Sequence, residues 1–248
     1  MRVDIVTIFP EMLDGVLNNS MLKIGRDKGL LDLRAVNLRD YTTDKHHQTD
    51  DTPFGGGAGM VMIPDPIFRC VEDLTAGETG ARVVLTTPGG KPYTQRKAEE
   101  FAACGRLVIL CGRYEGVDDR VREHLVTDEV SIGDYVLTGG EIAAMAIVDS
   151  VARLIPGVLG RGESFEEESF SEGLLEYPHF SKPAEYRGWR IPEILLGGNH
   201  EAIRRWRRKE SMRLTLERRP DLLKRHNFTH EDRKLLVEIE AELGLRAL

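Results

Sequence analysis

The 248-residue chain predicts an α/β domain followed by a small all-helical one. Three observations predict it. Over the first 155 residues, short β-branched runs alternate with helix-like stretches. Two of those runs, Val83-Val84-Leu85 and Leu107-Val108-Ile109-Leu110, lack polar alternation, as central parallel strands covered on both faces require. Finally, from Gly157 to Gly173 glycine, serine and glutamate displace the apolar periodicity, and the signals that follow are helical.

In chain order, strands are expected at residues 3–8, 30–38, 82–86, 107–111 and 129–132. A helix over 141–154 follows, stopped at Pro156-Gly157. In the second domain one helix spans 199–218, capped by Asn199 and ended before Pro220. Another spans 229–243, where Thr229 and Asp232 have capping-box spacing. These signals divide the chain into a domain over 1–160, a flexible linker over 161–173 and a helical domain over 174–248.

Composition bounds the function. With 41% hydrophobic and 30% charged residues the chain can bury a sizeable core. No run approaches the apolar length of a membrane span, and Asp4 interrupts the first apolar run, so neither a membrane anchor nor a signal peptide is expected and the cytoplasm is favoured. Cys70, Cys104 and Cys111 lack metal or disulfide spacing and read as reduced filler. The net charge of −7 is unevenly spread. Residues 161–248 carry 17 basic and 17 acidic residues, leaving the excess acid to the first 160, while residues 201–225 hold ten basic and four acidic ones. A basic stripe in an acidic protein suggests a polyanion met by one region.

Two glycine-bearing loops carry the chemistry. Cys111-Gly112-Arg113-Tyr114-Glu115-Gly116 follows a strand, and Ser131 to Glu141, reading SIGDYVLTGGE, leads into a helix. Such loops let backbone N–H and C=O groups approach a ligand. Neither is GxxxxGK[ST] nor GxGxxG, so the expected ligand is a nucleoside without a polyphosphate tail.

With Ile8-Phe9-Pro10-Glu11-Met12, Asp50-Asp51-Thr52-Pro53-Phe54-Gly55-Gly56-Gly57-Ala58-Gly59-Met60, Ile155-Pro156-Gly157-Val158-Leu159-Gly160, Gly173-Leu174-Leu175, Gly198-Asn199-His200 and Ile203-Arg204-Arg205-Trp206-Arg207, these loops make the chain resemble the bacterial tRNA guanine-N1 methyltransferases. That family belongs to the knotted SPOUT class and modifies the guanosine 3′ of the anticodon. The resemblance runs nearly end to end. It implies a SPOUT-type parallel sheet with a trefoil knot, a rare exception to the rule that connections do not thread.

It also implies S-adenosylmethionine as methyl donor, held by Leu85, Thr86 and Pro88, by Gly112, Tyr114, Glu115 and Gly116, and by Ser131, Ile132, Gly133, Tyr135, Leu137, Gly139 and Gly140. Asp50, Gly59 and Arg113 are placed around the target guanosine, with Gly55-Gly56-Gly57 giving the loop room. Guanine N1 carries a proton at neutral pH, so methylation there needs a base and a donor to O6. By resemblance the donor is Arg153 and the base lies in Glu166-Glu167-Glu168-Ser169-Phe170. The family pattern has aspartate before Ser-Phe; this chain has Glu168, which is taken as the base, with Glu167 as substitute. Read alone, three glutamates are a solvated acidic linker.

His46, His47, Asp50 and Asp51 lack helical metal-ligand pairing, so no metal site is assigned. The magnesium associated with the family is expected to arrive with RNA or donor. In the helix over 199–218 acids are sparse, so Arg204, Arg205, Arg207 and Arg208 are expected to meet phosphates of the tRNA anticodon arm, while Trp206 packs inward. The family works as a homodimer with each active site completed across the interface. Two alternatives are a catalytically weak or silent RNA-binding protein of the same fold, kept open by Glu168, and a helix-turn-helix DNA binder, disfavoured by the acidic first domain and the matched loops.

Overall fold

Five strands lie side by side in the order β2-β1-β6-β5-β7, every neighbouring pair parallel, so their carboxyl ends share one edge. The computed structural model describes residues 1–77, 80–159 and 168–244. Its elements run β1 (Arg2–Thr7), α1 (Glu11–Leu17), α2 (Ser20–Asp27), β2 (Asp32–Asn37), a short β3 (Asp50–Asp51) and β4 (Val61–Met62), α3 (Pro64–Thr75), β5 (Arg82–Pro92), α4 (Gln95–Ala103), β6 (Arg106–Cys111), α5 (Asp119–His124), β7 (Asp128–Ser131) and α6 (Glu141–Ala152). After the undescribed residues come β8 (Glu185–Tyr186), β9 (Trp189–Arg190), α7 (His200–Arg218), α8 (Pro220–Leu223) and α9 (His230–Glu242). The chain divides into two units, Met1–Arg161 and Gly162–Leu248.

In the first unit the unalternating runs are covered on both faces. Val84, Leu107 and Ile109 join a core with Leu13 and Leu17 of α1, Leu22 of α2, Phe101 of α4 and Ile147, Val148 and Val151 of α6. From the same strands Val83, Leu85, Val108 and Leu110 face Ile67, Cys70 and Val71 of α3 and Val121 of α5. Each large side chain so buried contributes about 1.5–3 kcal/mol. Asp4, inside the first apolar run, is fully buried and paired with Arg106 at 2.6 Å. Burial pushes its carboxyl up, and Arg106 and Arg2 offset part of that rise. Burial likewise pushes the Cys70 thiol up to about 12, as suits inert filler.

β5 extends beyond the expected 82–86. Its pairing with β7 breaks after Thr86↔Val130 and resumes at Lys91↔Val130 and Pro92↔Ser131, so the intervening residues bulge out at the carboxyl edge. Gly90 has no room for a side chain: a Cβ there would stand 2.6 Å from the Glu129 carbonyl carbon.

The second unit keeps the two expected helices and both caps. Asn199 accepts from the Ala202 N–H at 3.1 Å, and Thr229 and Asp232 close a reciprocal capping box. Its core is Leu174, Met212, Leu223, Leu235 and Ile239. The expectation of an all-helical unit needs correction, because β8 and β9 form an antiparallel hairpin. Two-residue strands leave no periodicity in a sequence; the only cue is Tyr-Arg-Gly-Trp, a turn signal. Of the expected linker, residues 161–167 lie outside the described residues, and 168–173 are tied to α7 and the loop after α8. Arg208 Nη1 reaches Glu172 at 2.6 Å, and the His226 ring meets the Glu172 carbonyl at 3.1 Å.

Asp128 fastens β7 to its surroundings. It accepts from Arg82 Nε at 2.7 Å and Nη2 at 2.6 Å, and pairs with Lys97 at 2.8 Å. Burial pushes its carboxyl up, but Arg82, Lys97 and Thr127 more than reverse this and hold it well below the usual carboxylate range. A carboxyl with a depressed folded pKa stabilises above its unfolded value, near pH 4, and loses that contribution as pH falls further. Asp128→Asn is therefore expected to cost about 2 kcal/mol at neutral pH and to flatten the stability profile below pH 4, measured by urea unfolding across pH.

Candidate functional site

Three loops meet at the carboxyl edge, where parallel α/β sheets hold ligands. The first is the bulge after Thr86, whose hydroxyl donates to the Leu110 carbonyl at 3.1 Å. The second, after Cys111, reverses through Tyr114 at φ 60° and Gly116 at φ 127°. A tyrosine in the left-handed region stores about 1–2 kcal/mol of strain, of the kind that concentrates at working sites. The third, after Ser131, turns on the Ser131 hydroxyl, which accepts from the Gly133 N–H at 3.3 Å. It then returns to the second loop, where the Gly140 N–H donates to the Gly112 carbonyl at 2.9 Å. A Cβ on Gly140 would lie 2.8 Å from Cys111 Cα, and one on Gly139 would lie 2.6 Å from Arg113 Cδ. Only glycine passes there.

These loops enclose a cavity of about 370 Å³, within the range of small-ligand sites. All fourteen residues expected around the donor line it: Leu85, Thr86, Pro88, Gly112, Tyr114, Glu115, Gly116, Ser131, Ile132, Gly133, Tyr135, Leu137, Gly139 and Gly140. Sequence reasoning missed Arg122 and Glu129, which also line it and stand 3.5 Å apart. Glu129 lies two residues before Ser131 in β7, a signal that was available; Arg122 comes from α5 and had none.

The three residues expected around the guanosine also converge on the second loop. Asp50 hydrogen-bonds the Tyr114 hydroxyl; burial first, and then the Asp50 charge, push that phenol up. Gly59 faces Glu115, where a Cβ would meet Oε1 at 2.5 Å, and the Glu115 N–H donates to the Met60 carbonyl at 3.0 Å. Arg113 is held from several sides, its side chain only 13% exposed. Its Nε donates to Glu141 Oε1 at 3.1 Å, its guanidinium lies 4.6 Å from the Phe9 ring centroid, and Glu141 accepts from the Thr7 hydroxyl at 2.6 Å. Arg113 thus has a structural task beside any substrate contact.

Arg153 is not at this cavity. It caps the carboxyl end of α6, whose amino end, Gly140, borders the cavity. Twelve helical residues set the two ends about 18 Å apart. Glu168 belongs to the second unit and lines a separate cavity of about 590 Å³ with Tyr177, His200, Arg204, Arg207 and Arg208. Glu166 and Glu167 lie outside the described residues. Among the described residues no group of three or more His, Cys, Asp or Glu could hold a metal ion.

The expectation of a basic helix with few acids nearby also needs correction. α9 supplies them. Arg204 pairs with Glu231 at 3.2 Å, Arg205 with Glu238, Lys209 with Glu238 at 3.0 Å and Glu242 at 2.7 Å, and Arg213 with Glu242. Arg208 grips Asp232 through Nε at 2.7 Å and Nη2 at 3.1 Å. Burial pushes the Asp232 carboxyl up, but Arg208 and the N–H and hydroxyl of Thr229 hold it below the usual range. Arg207 stacks 4.8 Å from the Tyr177 ring. Trp206 does not enter the core; it is half-buried, its ring 6.4 Å from that of Phe180.

A parallel sheet with a glycine-walled cavity at its carboxyl edge defines a small-ligand-binding α/β protein, here followed by a helical unit. The model of the tRNA (guanine-1)-methyltransferase family matches residues 1–225, and the chain belongs to that family. Curated relatives named tRNA (guanine-N(1)-)-methyltransferase include that of Desulforamulus reducens, 57% identical over 97% of this chain and 95% of its own, and that of Brevibacillus brevis, 57% identical over 98% and 99%. The protein of Bacillus cereus strain B4264 bears the same name and is 56% identical over 98% of this chain and all of its own.

The two arginines tell structural from exchangeable contacts. Arg208→Ala leaves Asp232 buried and is expected to cost the second unit about 2–4 kcal/mol. Arg204→Ala breaks an exposed pair and should cost no more than about 0.5 kcal/mol. Chemical denaturation of both variants measures the difference.

Proposed function

We propose that the protein transfers a methyl group from S-adenosylmethionine to N1 of the guanosine 3′ of the anticodon in tRNA. The observation that carries this reading is the cavity at the carboxyl edge, lined by every residue expected around the donor, in a chain of this family. The donor fits the cavity's chemistry. Backbone groups of Gly112, Gly133 and Gly139 can read an adenine edge, the site lacks a phosphate cradle, and Glu115 and Glu129 supply negative charge beside a cationic ligand. Bound there, it supplies an electrophilic methyl group.

The chain's own residues supply the rest. Glu168 accepts the proton that leaves guanine N1 as the N–CH₃ bond forms, and Arg153 donates hydrogen bonds to O6 as charge collects there. Asp50 and Arg113 flank the base. The exposed arginines of α7 exchange their α9 carboxylates for phosphates of the anticodon arm. Magnesium comes with the RNA or the donor.

The active unit is a homodimer. Arg153 lies about 18 Å along α6 from the cavity of its own chain, farther than an arginine side chain reaches, so a second copy brings Arg153 to the cavity. Exposed Met12, Val16, Ile24 and Ile142, on α1, α2 and α6, give that copy an apolar surface. The trefoil knot belongs to the same reading, supported by the close approach of Gly140 to Thr86 of β5 and to Cys111 at the end of β6. Among the described residues no helix is long and apolar enough to cross a membrane, and an enzyme of tRNA works in the cytoplasm.

Labelled S-adenosylmethionine with a tRNA transcript bearing guanosine beside the anticodon tests the reaction. Methyl on guanine N1 is expected, with Glu168→Ala and Arg153→Ala each about 10² to 10⁴ slower. No transfer by the unaltered protein overturns the reading, and full activity of Glu168→Ala moves the base to Glu167. Mixing inactive Arg153→Ala with inactive Gly140→Val tests the shared site. Restored activity is expected; a mixture that stays inactive while heterodimers form would place each site within one chain.

A further inference from the structure

The β8–β9 hairpin presents two aromatic rings that are largely exposed among the described residues. Arg187 at φ 55° and Gly188 at φ 86° make a two-residue turn of the type that joins twisted strands tightly. Tyr186 and Trp189 are register partners across it, so both rings stand on one face, centroids 6.4 Å apart. Tyr186 is 56% and Trp189 71% exposed, and neither joins the unit's core. Residues 181–190 are all exposed. A ribbon this short gains little stability from such a pair, and large exposed rings carry a solubility cost.

Charge decides what the rings meet. Lys182, Arg187 and Arg190 stand against Glu185 alone in that stretch, and the Arg187 guanidinium lies 5.2 Å from the Tyr186 ring centroid. Exposed aromatics flanked by guanidinium groups match the surfaces on which single-stranded nucleic acid stacks its bases while its phosphates meet cations. Arg190 already pairs with Glu185 at 2.7 Å, so the net positive charge of the stretch comes from Lys182 and Arg187, and an apolar protein partner would cover it without supplying an anion.

We propose that the hairpin is a stacking platform for an unpaired base of the RNA substrate, with Trp189 and Tyr186 taking the base, Arg187 an adjoining phosphate, and Arg190 exchanging Glu185 for another. This rests on the tRNA reading above and adds to it a contact outside α7.

The full chain has two tryptophans, so Trp206→Phe leaves Trp189 as the sole indole reporter. Titration with a tRNA transcript is expected to quench it. Trp189→Ala should weaken tRNA binding about 5- to 100-fold, Trp189→Phe should recover most of it, and calorimetric donor affinity should not change. Unchanged tRNA affinity in Trp189→Ala, or no quench on binding, overturns the platform. Loss of dimer in sedimentation with tRNA affinity intact overturns it too, assigning the face to a second copy. Unaltered protein that neither binds nor methylates tRNA overturns the broader reading; one that does both while Trp189→Ala matches it overturns only this inference.

Discussion

The cavity depends on one close approach of backbone to backbone. The chain leaving β7 returns to Thr86 of β5 and the end of β6, and at Gly140 it comes so near Cys111 and Gly112 that no side chain would fit. The Gly140 N–H bonded to the Gly112 carbonyl fixes that approach, and α6 begins at the next residue. Glu141, first in the helix, then holds Arg113, which sets the second loop, while the Thr7 hydroxyl ties the same carboxylate to β1. Loop shape, helix origin and sheet edge are therefore one mechanical unit.

Much of this was legible because it is local. Unalternating apolar runs announce buried strands, Thr229 with Asp232 announces a helix start, and clustered glycines after strands announce a loop that must approach something closely. What escaped is non-local. The acids that answer Arg204, Arg205 and Arg208 lie 24 to 33 residues away on α9, so a count along α7 saw only excess charge. Trp206 has a helical neighbourhood that suggests burial, yet its partner Phe180 comes from the irregular segment ahead of α7. Arg122 reaches the cavity from a helix with no motif of its own.

The residues expected to work together are divided along the chain in an instructive way. Donor-side residues gather at the carboxyl edge, Arg153 terminates the helix that starts there, and Glu168 sits in a turn secured to α7. Ser171 N–H donates to the Glu168 carbonyl at 3.2 Å, and the Glu176 N–H donates to the Ser169 hydroxyl at 3.0 Å. The carboxylate therefore rides on a shaped turn, a setting in which a longer side chain than aspartate can be accommodated by backbone placement.

The α7–α9 ion pairs bear on ionic strength. In the proposed contact with tRNA, an arginine that already has a carboxylate partner exchanges one anion for another on meeting a phosphate, and the displaced glutamate must gather counterions as the RNA sheds its own. Net ion release per contact is then smaller than for an unopposed cation. On that proposal the α7–α9 face would hold RNA with a shallow dependence on salt, and long-range attraction would contribute less to its grip than shape does.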